Sequence, residues 1–224
     1  MVSRALSLTK ITRHDANQIG FLFLTAASAF SAAADDTAAR ITKAGSTFDA
    51  VARGIRPEQI ASSDCIAVIP GSKKGAAVVG AGYGRGFISC RSGNGWSAPG
   101  AMTFESGSVG VQLGGEVIDI VILSLDKERR AKLLAERFAI GPDASAAWGN
   151  GKSAHEDPNV KILFFGRTKR AFAGFGLDGA TLKVGESGNK ALYGKTSSNS
   201  EIVTGATTPP VAQLFVTKLT QQSK

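Results

Sequence analysis

The run Val117-Ile118-Asp119-Ile120-Val121-Ile122-Leu123 is apolar on both faces of an extended chain, so a strand made from it needs cover on each side. It must lie centrally in a sheet, with Asp119 as its one anomaly. The 27 glycines and an aromatic share of 7% favour a strand-rich, tightly turned architecture over a Leu-rich helical bundle. With 43% apolar residues in 224, the chain can bury one substantial core, rich in small side chains.

Further strands are predicted at Cys65–Ile69, ended by Pro70-Gly71, and at Ala76–Tyr83 and Gly86–Cys90, joined by a Gly-containing turn. Ala101–Phe104, Val109–Leu113, Ala144–Trp148, Val160–Phe165, Phe172–Leu177 and Ala180–Val184 read the same way. Asp35-Asp36 caps a helix whose apolar positions Ile41, Ala44, Phe48, Val51 and Ile55 recur at helical spacing. Pro57 opens a short turn of helix, Asp126 caps another through Phe138, and Ser187–Tyr193 and Pro210–Leu219 look helical. The expected fold class is α+β: a curved, largely antiparallel sheet, sandwich or partial barrel, with flanking helices.

Residues 1–34 read as a secretory signal peptide, with a basic leader, the apolar block 21–30 and small residues Ser31-Ala32-Ala33-Ala34 before Asp35. As a membrane anchor, 14 residues from Phe21 to Ala34 would span only about 21 Å of a core about 30 Å thick. An amphipathic targeting helix fits the uninterrupted apolar block less well. Residues 35–224 are then a single domain. The two cysteines, Cys65 and Cys90, read equally as a disulfide between neighbouring strands or as two buried thiols.

Motifs for chemistry mostly fail. In Gly80-Ala81-Gly82-Tyr83-Gly84-Arg85-Gly86 the third glycine of a dinucleotide loop falls on Arg85, so those glycines better serve a bend or bulge in a curved sheet. Gly151-Lys152-Ser153 lacks the leading glycine of a phosphate loop, whose position is Ala146. His155 is the one histidine beyond the leader and sits in a polar turn. With no metal-spaced ligands or nucleophile signature, no catalytic residue, cofactor or metal is assigned, and the chain is read as no enzyme.

The formal charge is +8, from 26 Lys and Arg against 18 Asp and Glu. Arg4, Lys10 and Arg13 against Asp15 place +2 of it in the leader and leave +6 behind. Lys73-Lys74, Arg85, Arg91, Lys161 and Arg167-Thr168-Lys169-Arg170 lack aromatic interleaving, which argues against nucleic acid. They suit anionic head groups, at about 1 kcal/mol per cation near an acidic surface. Scattered charge for solubility is the competing reading.

Read in order, Ile55-Arg56-Pro57-Glu58, Cys65-Ile66-Ala67-Val68-Ile69-Pro70, Gly95-Trp96-Ser97-Ala98-Pro99, Gly110-Val111-Gln112-Leu113-Gly114-Gly115-Glu116-Val117-Ile118-Asp119, Arg167-Thr168-Lys169-Arg170-Ala171-Phe172-Ala173-Gly174, Leu177-Asp178-Gly179 and Tyr193-Gly194 resemble the SYLF domain family. The resemblance implies binding of anionic phospholipid at a membrane surface. The family pattern carries over to Arg167, Lys169 and Arg170, for phosphate, and to the Asp36–Val51 helix, for lipid contact; beside it, Lys73 and Lys74 are further candidates for phosphate and Phe48 and Trp96 for the interfacial layer, where Trp is favoured. Bacterial relatives look like exported proteins, so periplasm or cell envelope is expected. Eukaryotic relatives often append SH3 or FYVE modules that this chain lacks, so actin is not expected as a partner. A structural or filament-binding envelope protein is the alternative, and a hydrolase centred on His155 a more distant one.

Overall fold

A computed structural model describes residues 36–74, 79–109, 116–141, 144–148, 161–168 and 180–223. The leader lies outside them, as do His155, Gly151-Lys152-Ser153 and the strand predicted at Phe172–Leu177. Helix α1 covers 36–52 and α2 Pro57–Ser62. Strands β1 (Cys65–Lys74), β2 (Val79–Ser92), β3 (Gly95–Trp96), β4 (Gly100–Val109) and β5 (Glu116–Ser124) follow. Then come α3 (Lys127–Leu134), β6 (Arg137–Ala139), β7 (Ala144–Trp148), β8 (Ile162–Thr168) and β9 (Thr181–Val184). Helices α4 (Glu186–Tyr193), α5 (Asn199–Gly205) and α6 (Gln213–Gln222) close the chain.

The strands form a curled half-barrel in the order β6-β9-β4-β2-β1-β5-β8-β7, with β3 paired to β2. Every pairing among the described residues is antiparallel except β7 with β8. As its two-sided apolarity requires, β5 is interior, between β1 and β8. Successive side chains of a strand point to opposite faces, and the core divides accordingly. Ile66, Val68, Phe87, Val121, Leu123 and Phe165 pack under Ile41, Ala44 and Phe48 of α1 and Phe215 and Leu219 of α6. Ala67, Ile69, Ile88, Ile120, Ile122 and Phe164 meet Leu133 and Leu134 of α3 and Val203 of α5 on the other face. Cys65 and Cys90 lie on that second face, opposite one another in the β1–β2 register and joined as a disulfide.

Three elements depart from the predicted ones. Pro70-Gly71 does not end β1 but forms a bulge, two residues set against Asp119, with Gly71 at φ +61°. The segment Tyr83–Gly86 is not a turn: β2 is continuous, and Gly82, Gly84 and Gly86 have no positive φ. Their lack of a Cβ instead admits a close neighbour; a Cβ on Gly86 would stand 2.1 Å from the Val68 carbonyl oxygen. Finally, α3 is capped by Asp126, which accepts the Arg129 N–H at 2.8 Å, but stops at Leu134, and Arg137–Ala139 join β9 as an edge strand.

Candidate functional site

The segment Gly95–Ala101 serves the fold. Ser97 accepts the Cys90 N–H through its hydroxyl at 3.1 Å, and the Ser89 hydroxyl donates to the Ser97 carbonyl at 2.7 Å. Buried Asn189 of α4 accepts the Ala101 N–H at 2.6 Å and donates to Asn199 Oδ1 at 2.9 Å. Asn199 of α5 donates back to the Ala101 carbonyl, and the Tyr193 hydroxyl donates to that of Pro99 at 2.7 Å. Burial pushes the Tyr193 phenol above its ordinary range. Nearby, the Arg91 guanidinium lies 4.3 Å from the Trp96 ring centre and donates to the carbonyls of Ala61 and Ser63, satisfying the end of α2. Desolvation lowers the Arg91 pKa, against a raising contribution from Asp64.

These contacts correct two expectations. Trp96 is 7% exposed beneath Arg91, and Phe48 is wholly enclosed between α1 and the sheet. Both are core residues: α1 packs Phe48 against the sheet and α6, and Trp96 on β3 lies in the same buried cluster under Arg91, which leaves neither ring to enter a lipid interface.

Polar chemistry gathers instead where β1, β2, β5 and β8 run past the apolar core. There Asp119 earns its place in an apolar strand: Oδ1 accepts the Gly71 N–H at 2.9 Å and Oδ2 the Arg167 guanidinium at 3.0 Å. Arg167 is exposed at the end of β8, one strand from Asp119. Lys73 and Lys74 stand at the same end of β1, in register with Val117 and Glu116 of β5. Lys73 is also in register with Tyr83 of β2, so Tyr83, Lys73 and Val117 form one row across three strands. Tyr83 and Val117 are 52% and 53% exposed, unusual for large apolar side chains. Lys169 and Arg170 lie outside the described residues.

Two further cations of this region come from different elements, α1 and β2. Arg40 of α1 and Arg85 of β2 both pair with Asp36, Arg85 at 3.2 Å. They stand between two open grooves of about 420 and 360 Å³. The first is bounded by α1, Pro70-Gly71 and Tyr83, and it holds Lys43, whose ammonium would meet a Cβ on Gly71 at 3.1 Å. The second runs to Gly185, Glu186 and Ser187 at the start of α4, a helix with no side-chain cap. The signals for this grouping were the i,i+4 spacing of Asp36 and Arg40 and the alternation that sets Tyr83, Arg85 and Phe87 on one face.

The family model described as "Ysc84: Las17-binding protein actin regulator" matches residues 105–222, slightly more than half of the chain. "SH3 domain-containing YSC84-like protein 1" of Xenopus laevis is 30% identical over 149 residues, covering 63% of this chain and 44% of that protein. "SH3 domain-containing protein PJ696.02" of Schizosaccharomyces pombe is 29% identical over 139 residues, 58% of this chain and 32% of its own length. "LAS seventeen-binding protein 3" of Saccharomyces cerevisiae is 26% identical over 168 residues, 70% of this chain and 36% of its own length. The chain thus spans less than half the length of each of these relatives. No solved structure matches it. The expectation against actin as a partner is overturned, since the family is described as a Las17-binding actin regulator and the yeast relative is named a LAS seventeen-binding protein. The chain belongs to the Ysc84 family, whose domain is also called SYLF.

Proposed function

We propose that this chain is a non-enzymatic module that binds anionic phospholipid at a membrane surface through the end of the sheet formed by β1, β5 and β8. The observation that supports the reading is the register: Lys73 and Lys74 on β1 lie two strands across from Arg167 on β8 and two to three residues further along, about 12–14 Å between backbone positions. Tyr83 and Val117, exposed in the same rows, supply the amphipathic and apolar contacts that a lipid interface rewards. Three cations at about 1 kcal/mol each give weak, salt-sensitive attachment. In the sequence, Lys169 and Arg170 follow Arg167 after Thr168 and add two cations to the same segment. The Cys65–Cys90 disulfide supports an oxidising compartment, in keeping with export to the periplasm or cell envelope.

Flotation of the full chain with vesicles of equimolar phosphatidylcholine and phosphatidylglycerol tests it. Binding is expected at low salt, lost at high salt, and lost in the Lys73→Ala/Lys74→Ala/Arg167→Ala variant. Unchanged flotation of that variant, with its fold verified by circular dichroism, overturns the charge mechanism. A second reading, regulation of actin assembly, is favoured by the family's description and its relatives' names. Cosedimentation with actin filaments in the absence of lipid is its test, and the same triple variant asks whether one surface serves both.

A further inference from the structure

Arg40 and Arg85 converge from different elements on one small carboxylate. Asp36 lies at the start of α1, 54% exposed, and both guanidiniums bond its Oδ2. Arg40 is only 14% exposed, so its charge is largely taken out of water and needs a counter-ion. On the groove's far side, the first N–H groups of α4 have no intrahelical acceptor, and its N-cap, Gly185, offers no side chain. Lys43, which has no carboxylate partner among the described residues, flanks Asp36 on the other side. Glu186, on the first turn of α4, is the opposing carboxylate there.

We infer that Arg40 and Arg85 form an anion site that Asp36 keeps occupied from within, and that a phosphate monoester displaces Asp36 to fill it. Asp36 presents a single negative charge to two guanidiniums, and one carboxylate cannot also reach α4. A phosphate monoester carries nearly two charges and three acceptor oxygens, enough to bridge both arginines and still accept from backbone N–H groups. A carboxylate ligand would merely exchange like for like with Asp36, and a phosphodiester, with one charge, gains little more. Asp36 therefore sets the threshold: it rejects weak anions and yields to a dianion. The groove acts whether the monoester is a lipid head group or a free phosphate ester, and it needs no part of the Lys73, Lys74 and Arg167 cluster.

Calorimetric titration of the full chain with glycerol 3-phosphate, beside flotation with equimolar phosphatidylcholine and phosphatidic acid, separates the two sources. Glycerol 3-phosphate should bind the native chain weakly, Asp36→Asn about fivefold more tightly, and Arg85→Gln at least fivefold less tightly, the scale of one exposed ion pair gained or lost. Binding of glycerol 3-phosphate with no flotation on phosphatidic acid supports the groove with a soluble ligand and counts against the membrane reading alone. Flotation on phosphatidic acid that Asp36→Asn strengthens and Arg85→Gln weakens supports it with a lipid ligand. Asp36→Asn binding neither probe more tightly than the native chain, or Arg85→Gln binding both unchanged, overturns the inference. Asp36→Glu, which keeps the charge, should behave as native; if it binds as tightly as Asp36→Asn, altered helix capping is responsible and the inference fails.

Discussion

Gly86→Ala measures how tightly the half-barrel is drawn. A Cβ at this position would lie 2.1 Å from the Val68 carbonyl oxygen, 2.8 Å from Ile69 Cα and 2.9 Å from Ile69 Cγ1. Ordinary contact between carbon and a carbonyl oxygen begins near 3.3 Å, so β1 and β2 must part by roughly 1 Å. Two of the three obstructing atoms are backbone, which no rotamer change moves. Overpacking costs about 1–3 kcal/mol, and stretching one or two ladder hydrogen bonds adds about 1 kcal/mol each, so a loss of about 3 kcal/mol is expected. For a domain of this size that lowers Tm by about 6–12 °C. Gly95→Ala is the matched control, because nothing stands within 4 Å of its Cβ and its φ is not positive; it should stay within about 0.5 kcal/mol of the parent. Urea unfolding of the oxidised chains, followed by circular dichroism, gives both numbers. If the two variants differ by less than about 1 kcal/mol, the close approach of β1 and β2 is not what those glycines serve.

Asn189→Ala leaves the Ala101 N–H and Asn199 Oδ1 without their partner in a fully buried site, and a loss of about 3 kcal/mol in urea unfolding is expected; a loss under about 1 kcal/mol would mean that α4 is held by other contacts. Reducing the Cys65–Cys90 bond, which spans 25 residues, should cost about 3 kcal/mol by loop entropy, read as the difference between unfolding curves with and without reductant; Cys65→Ala/Cys90→Ala should lose its reductant dependence altogether. Because burial raises the Tyr193 pKa, the folded state keeps its proton when the unfolded state releases it above about pH 10. That contribution is complete below pH 10 and declines above it, by up to about 1.4 kcal/mol per pH unit. Tyr193→Phe should be less stable at pH 7 and have a shallower alkaline decline, and an identical alkaline slope in both proteins would contradict the assignment.

The sequence announced its strands where burial is two-sided or strictly alternating, and so β5 and the run Ile66–Ile69 were legible. It was least legible at glycines, because the same residue supplies a turn or removes a Cβ, and only the partner strand decides which. Gly84 and Gly86 looked like a turn for that reason. Helix α5 was missed although Ser198 and Glu201 form a capping box, a pattern visible in the sequence. The site shows the same division. Asp119 was conspicuous as a lone charge in an apolar strand, but its partners, Gly71 and Arg167, are 48 residues away in either direction, and pairing register alone brings them together. The aromatic residues misled because burial of Phe48 and Trp96 depends on α6 and Arg91, and neither follows from the local pattern.

Both faces of the half-barrel are covered along most of its length, by α1 and α6 on one side and α3 and α5 on the other, which limits where this chain can meet a ligand. At the end where β1, β2 and β5 outrun the apolar core, the face next to α1 carries Arg85, Asp119 and Arg167 instead of isoleucine and phenylalanine. The bulge at Pro70-Gly71 belongs to this change. It shifts β1 by one residue against both neighbours, and the N–H it leaves unpaired in the ladder is taken by Asp119. Asp119 in turn holds Arg167 at the sheet end. A substitution that straightens the bulge would thus release Asp119 and the orientation of Arg167 together while sparing Arg40 and Arg85, which answer to Asp36. The two cationic groups are separable by mutation because different carboxylates hold them, and that separability lets the proposed vesicle binding and the proposed phosphate-ester binding be tested on different residues of one small surface.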